Sequence, residues 1–182
     1  MVPSIISKRQ CLKLIWCQCK WIFSDTSSTK AFVDAFIALN LPLDILINNA
    51  GIMARPKSFT KDGFETQFSA NHLDHFYITN LLTNKLMESI PSRVIILSSS
   101  GNSQFLDPAS IDFDHLHAEK AYSPTKIYGQ SKLANILYAK KLRRRFDAQG
   151  ADITVVSLHP GNVETNLTRH TSLSMAVEQA TK

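Results

Sequence analysis

The nine residues Arg93-Val94-Ile95-Ile96-Leu97-Ser98-Ser99-Ser100-Gly101 decide the fold class. Arg93 to Leu97 is a short aliphatic run, apolar on both faces, which reads as a fully buried strand. It passes without a spacer into a small polar cluster. The same grammar recurs on either side: Leu43–Ile47 breaks at Asn48-Asn49-Ala50-Gly51, and Ile153–Leu158 breaks at His159-Pro160-Gly161. Helical periodicity fills the intervals. Ser24-Asp25-Thr26 can cap a helix with Phe32, Val33, Phe36 and Ile37 on its apolar face, ending before Pro42. A long helical stretch runs from about Asp62 to Ser89 and is interrupted near its start. Ser123-Pro124 supplies a cap and an N1 proline for a helix reaching about Phe146, with Gly150 beyond it. Residues 102–122 form a polar excursion. Buried strands alternating with helices make an α/β protein with a parallel sheet covered by helices on both sides. Ligands bind such sheets beyond the carboxyl ends of the strands, where the three polar clusters gather.

Composition narrows the function. The chain has 182 residues, 44% hydrophobic and 19% charged, as expected of one globular domain or part of one. Its net charge of +5 is uneven: Lys8, Arg9, Lys13 and Lys20 stand in the first 24 residues with no acid, and the rest is nearly balanced. A phosphate-neutralising surface is therefore not encoded, and no nucleic-acid partner is expected. Three cysteines, Cys11, Cys17 and Cys19, exclude a disulfide scaffold, and with no histidine before His72 they make a poor zinc site, so no metal is expected. Lys13 and Lys20 interrupt the apolar run from Cys11 to Phe23, already short of a membrane span. Lys140-Lys141-Leu142-Arg143-Arg144-Arg145 reads as a solvated helix end, where cations complement the dipole. Ser98–Gly101 lacks the Gly-x-Ser-x-Gly elbow of a serine hydrolase.

Tyr128 and Lys132 are four apart on one predicted helix and so share a face. An ammonium beside a phenol favours the phenolate, so Lys132 is expected to lower the pKa of Tyr128 and make it an acid/base. A second copy of the spacing, Tyr122 and Lys126, has Pro124 between its members at the helix start, so the shared face fails there. The run Tyr128-Gly129-Gln130-Ser131-Lys132-Leu133-Ala134-Asn135 follows Ser98-Ser99-Ser100, which follows Asn71-His72-Leu73-Asp74-His75-Phe76, which follows Asn48-Asn49-Ala50-Gly51.

In the order and context of these four motifs, across about residues 24–168, the chain resembles the short-chain dehydrogenase/reductase family. Within it, the branch is that of retinol-dehydrogenase-like and WW-domain-containing oxidoreductases. The resemblance implies a Rossmann-like doubly wound parallel sheet and a role for each motif residue. Tyr128 is the implied catalytic acid/base. Lys132 lowers its pKa and hydrogen-bonds the cofactor ribose. Ser99 holds the substrate oxygen, with Ser98 and Ser100 as lesser candidates, and Asn71 supports a water-linked proton relay to the lysine. Asn48, Ala50 and Gly51 match the turn beside the adenosine half of the cofactor, and Pro160, Gly161, Val163 and Thr165 match the loop beside the nicotinamide. The implied cofactor is NAD or NADP, with NADP favoured by the branch.

The sequence also departs from the family. No glycine precedes Gly51, so the glycine-rich diphosphate turn and the first strands are absent from this sequence, as is the last strand. The sheet is therefore expected to be incomplete, with residues 1–23 a basic leader foreign to the family and 24–182 a partial domain. Leu43–Ile47 is expected to present an unpaired apolar edge, a site of self-association, and cofactor affinity is expected to fall. The implied function is NAD(P)-dependent hydride transfer between the cofactor and a small-molecule alcohol or carbonyl, of retinoid, steroid or lipophilic-aldehyde type. The alternative is an inactive truncated fragment that binds a partner. The expected location is cytoplasmic, with the leader as a weak contact to a membrane surface.

Overall fold

The computed structural model describes the backbone of residues 4–6 and, in full, residues 25–106, 110–113, 122–161, 163 and 167. Four strands form one sheet in the order β1 (Ser4–Ile6), β2 (Ile45–Asn48), β3 (Ser92–Leu97) and β4 (Ile153–Leu158). β2, β3 and β4 are parallel, as the apolar runs predict. β1 lies antiparallel on β2, pairing Ile5 with Leu46. The expectation of an open β2 edge is thereby corrected: three residues of the segment read as a leader occupy its backbone donors and acceptors.

Register explains where the core sits. Leu46 is level with Val94, and Val94 with Val155, so these side chains form one row on one face. On that face lie α1 (Thr26–Ala38), α3 (Asp74–Leu81), α4 (Thr83–Glu88) and the 25-residue α6 (Pro124–Ala148). Phe32, Val33, Phe36, Leu46, Ile78, Leu82, Val94, Ile96, Leu142, Phe146 and Ile153 meet in this core, each almost wholly buried. Each contributes about 1.5–3 kcal/mol by leaving water. On the opposite face Ile45, Ile47 and Ile95 are half-buried and Val156 is exposed, so among the described residues helices cover one side of the sheet. The sheet is the expected one; the second helical layer is not among these residues.

Local chemistry sets the helix ends. Asp25 caps α1, accepting from the backbone N–H groups of Ser27 and Ser28. Asn40, just past its end, takes the left-handed φ of 49° that asparagine tolerates better than most residues. The helical stretch expected from about Asp62, with an interruption near its start, begins instead at Thr66, where the Glu65 carboxylate accepts from the Phe68 N–H at 2.7 Å. It comprises α2 (Thr66–Phe68), a π-helical turn (Ser69–Leu73), α3 and α4, with Leu82 at φ −90° and ψ 2° between the last two. Gly101–Gln104 forms the short α5 directly after β3. Of the expected elements, α6 is closest to its reading, with Ser123 as cap and Pro124 at N1.

Candidate active site

α6 carries two kinds of surface on its inward face. Its C-terminal half presents Tyr138, Ala139, Leu142 and Phe146 to the apolar core, while its N-terminal half presents Tyr128, Ser131, Lys132 and Asn135, all buried. Polar side chains survive there because each finds a partner at the carboxyl ends of β2 and β3 or in the π-helical turn.

Tyr128 has Ser99 beside its phenol as a group that favours ionisation, and it lies edge-on to Phe105, with ring centroids 6.4 Å apart. Two glycines permit this packing. A Cβ on Gly101 would stand 3.1 Å from Tyr128 Cε1, and one on Gly129 would stand 2.9 Å from the Gly101 carbonyl oxygen. Ser99 Oγ accepts from the Gly101 N–H at 3.2 Å. Ser98 faces the other way and donates to the Lys132 backbone carbonyl at 2.8 Å, which makes it a strut between β3 and α6.

The Lys132 ammonium lies 5.6 Å from the Tyr128 ring centroid and donates to the Leu97 carbonyl at 3.2 Å. Burial brings its pKa down to about 8. The expectation for Tyr128 is corrected in sign: burial raises its pKa, and Ser99 offsets only part of that rise. The helical spacing gives the nearness of the lysine correctly but carries no information about the desolvation of the phenol.

Asn71 stands in the π-helical turn and is fully buried. Its Nδ2 donates to Ser131 Oγ and to the Ile52 carbonyl, both at 3.0 Å, and its Oδ1 accepts from the Ile52 N–H at 2.8 Å. Ser131 passes the chain on by donating to the Tyr128 carbonyl at 2.7 Å. Gly51 completes the cluster, since a Cβ there would come 3.3 Å from Asn71 Oδ1 and 3.5 Å from Lys132 Nζ. Asn48 is buried on the core face of β2 and donates to Thr79 Oγ1 at 2.8 Å, tying that strand to α3; Ala50 is also buried.

The structure thus brings together Gly51, Asn71, Ser99, Tyr128 and Lys132. Pro160, Gly161 and Val163 lie exposed beyond β4 without a described contact to that cluster, and Thr165 lies outside the described residues. Tyr122 precedes α6 as expected and donates to the Arg55 carbonyl and the Glu65 carboxylate; burial first, then Glu65, pushes its pKa up. Ser131, Asn135 and His72 belong to the motif runs, but the sequence gives none of them a role. The spacing Tyr128, Ser131, Lys132, Asn135, one helical face, is the signal that places the two α6 residues in the cluster.

The cluster offers a phenolic hydroxyl, a second hydroxyl beside it and a buried ammonium at the strand ends, an arrangement suited to proton transfer at an oxygen. The short chain dehydrogenase profile matches residues 12–107. Retinol dehydrogenase 11 of Mus musculus is 47% identical over 150 residues, covering 82% of this chain and 46% of that protein. Short-chain dehydrogenase TIC 32 A, chloroplastic, of Brassica napus is 44% identical over 162 residues, covering 86% and 50%. A crystal structure of a protein from Mycobacterium Paratuberculosis superposes with a TM-score of 0.68 at 40% identity, covering 82% of this chain and 52% of that one. The chain spans about half the length of the curated relatives it matches. Among the described residues no helix is long and apolar enough to cross a membrane. With its profile match over more than half its length and its parallel sheet, the chain belongs to the short chain dehydrogenase family.

Proposed function

We propose that this chain carries the proton-transfer half of an NAD(P)-dependent oxidoreductase acting on an alcohol or carbonyl. The observation that carries the reading is the convergence of Ser99, Tyr128 and Lys132 at the carboxyl end of β3. A bound nicotinamide dinucleotide supplies the hydride chemistry. The residues present suit its nicotinamide-ribose half: Gly51 leaves space beside Lys132 Nζ that a Cβ would fill, and among the described residues the ammonium, with three donors, has the Leu97 carbonyl as its one acceptor.

In carbonyl reduction Tyr128 gives its phenolic proton to the substrate oxygen. The phenol holds this proton at neutral pH, and because burial raises its pKa the release depends on the lysine beside it. Ser99, whose Oγ already accepts from Gly101, is left to donate its own proton toward the same oxygen as negative charge develops there. Lys132 stabilises the tyrosinate left behind, because its charge stands near the ring and both side chains are buried. Asn71 holds Ile52 and Ser131 in place and so fixes the turn that carries Gly51 against the helix that carries the tyrosine.

The similarity to a retinol dehydrogenase supports a lipophilic alcohol or aldehyde as substrate. The rate of carbonyl reduction is expected to be level through neutral pH and to fall as pH rises through about 8, where Lys132 loses its charge. A pH profile measured with a panel of aliphatic aldehydes and NADPH or NADH tests this. A rate that keeps rising through that pH contradicts the role given to the lysine.

A further inference from the structure

We propose that Asn135 is a positioning residue for Lys132, and that His72 fixes the orientation in which Asn135 acts. The importance given to the lysine rests on the function proposed above; the hydrogen-bond geometry does not.

Asn135 is fully buried on α6, three residues after Lys132. Its Nδ2 donates to the Asn71 carbonyl and to the Leu97 carbonyl, both at 3.0 Å. Carbonyl oxygens only accept, so the NH2 end of the amide must face them and Oδ1 must face away. Oδ1 lies 2.9 Å from His72 Nδ1. A carboxamide oxygen cannot donate, so His72 carries its proton on Nδ1. Leu97 consequently accepts twice, from Asn135 Nδ2 and from Lys132 Nζ at 3.2 Å. The result is one continuous chain: His72 Nδ1–H to Asn135 Oδ1, Asn135 Nδ2–H to the Leu97 carbonyl, and Lys132 Nζ–H to that same oxygen.

The shared carbonyl limits how closely the ammonium can settle onto β3. With Asn135 occupying one side of the Leu97 oxygen, the lysine has a single bond there and, among the described residues, two donors left over. Without the amide, the ammonium is free to move onto Leu97 and the Asn71 carbonyl and away from the tyrosine. His72 matters because it holds Oδ1 and thereby prevents the amide from turning. Its ring is seated among Phe68, Phe76 and Tyr138, with centroids 5.4, 6.2 and 6.1 Å away. Burial lowers its pKa, so it is neutral where Lys132 titrates and its replacement removes no charge at that pH. Tyr128 faces Lys132 from the same helix, and His75, on which both Lys132 and His72 act, has its pKa brought down to about 3 by burial first, so it too is neutral where Lys132 titrates.

Side-chain nitrogen and lysine Cε NMR on the isotopically labelled 182-residue chain, without cofactor, test the proposal. The wild type is expected to show His72 with its proton on Nδ1. Both Asn135→Leu and His72→Phe are expected to move the Lys132 titration midpoint by about half a pH unit or more, upward where the ammonium gains a second carbonyl. His72→Phe keeps a ring in an aromatic setting, so it remains informative if Asn135→Leu does not fold. A proton on His72 Nε2 in the wild type overturns the assignment. A Lys132 midpoint unchanged in the folded variants overturns the positioning role. None of these signals requires cofactor or turnover, so failure of the proposed oxidoreductase activity leaves them intact and their failure leaves that activity standing.

Discussion

At the residue scale the strongest tension lies in Lys132, a cation buried beside a phenol whose own pKa is raised. Its folded value of about 8 lies below the ordinary 10.5, so between those values the unfolded chain holds a proton that the folded chain has released. Stability must therefore rise with pH across that window, the penalty being fully present below about 8 and gone above 10.5. Its size is of order 3 kcal/mol. Lys132→Met is accordingly expected to raise the midpoint of thermal unfolding at pH 7, because Asn135 still satisfies the Leu97 carbonyl, and to remove activity. The gain in stability should disappear in alkaline buffer; a variant destabilised at pH 7 contradicts the account. The serines are expected to separate in the same manner. Ser98→Ala loses its buried bond to the Lys132 carbonyl and costs about 1 kcal/mol, whereas Ser99→Ala loses the bond of a half-buried hydroxyl, costs less and lowers turnover. Chemical denaturation of the two variants, paired with rates, checks this. The identities of Tyr128 and Lys132 were legible from helical spacing. The direction of the tyrosine pKa was not, because spacing reports proximity and burial is a property of the packed site.

At the element scale the join between α5 and α6 depends on two glycines separated by 28 positions. Gly129→Ala would place a methyl 3.1 Å from Leu106 Cγ and 2.9 Å from the Gly101 carbonyl, a backbone atom that moves only with the start of α5. The expected cost is about 1–3 kcal/mol. Loss of signal from the Tyr128 and Phe105 rings in near-ultraviolet circular dichroism should accompany it. Wild-type stability in this variant would show that the contact gives way. The apolar runs gave β2, β3 and β4 to within two residues, and the Ser123-Pro124 cap gave the start of α6, since both signals are local. The helical stretch expected from about Asp62, interrupted near its start, is the least exact of these readings. Its start is decided by Glu65 reaching back to Phe68 and its interior by a π-helical turn that seats Asn71, features set by tertiary contacts with Ile52 and Ser131 rather than by periodicity.

At the scale of the whole molecule, the described residues form a sheet with one helical layer and one face where Val156 is exposed. The alternation of strands and helices showed that the sheet is parallel, but strands apolar on both faces cannot say which residues cover the second face. The antiparallel β1 was also hidden: Ser4–Ile6 is too short to be recognised as a strand, and its pairing with β2 is entirely non-local. Deleting residues 1–6 is expected to reopen the β2 edge and increase self-association, measured as a larger weight-average mass in light scattering. An unchanged mass contradicts the role given to β1. The catalytic reading holds or fails on a single comparison. Wild type and Tyr128→Phe are mixed with NADPH or NADH and a panel of lipophilic aldehydes, and the loss of reduced nicotinamide absorbance is followed. The account predicts turnover by the wild type and a rate at least about a hundredfold lower in Tyr128→Phe, with circular dichroism unchanged. Equal rates in the two proteins, or no turnover by the wild type at cofactor concentrations up to about 1 mM, would contradict it.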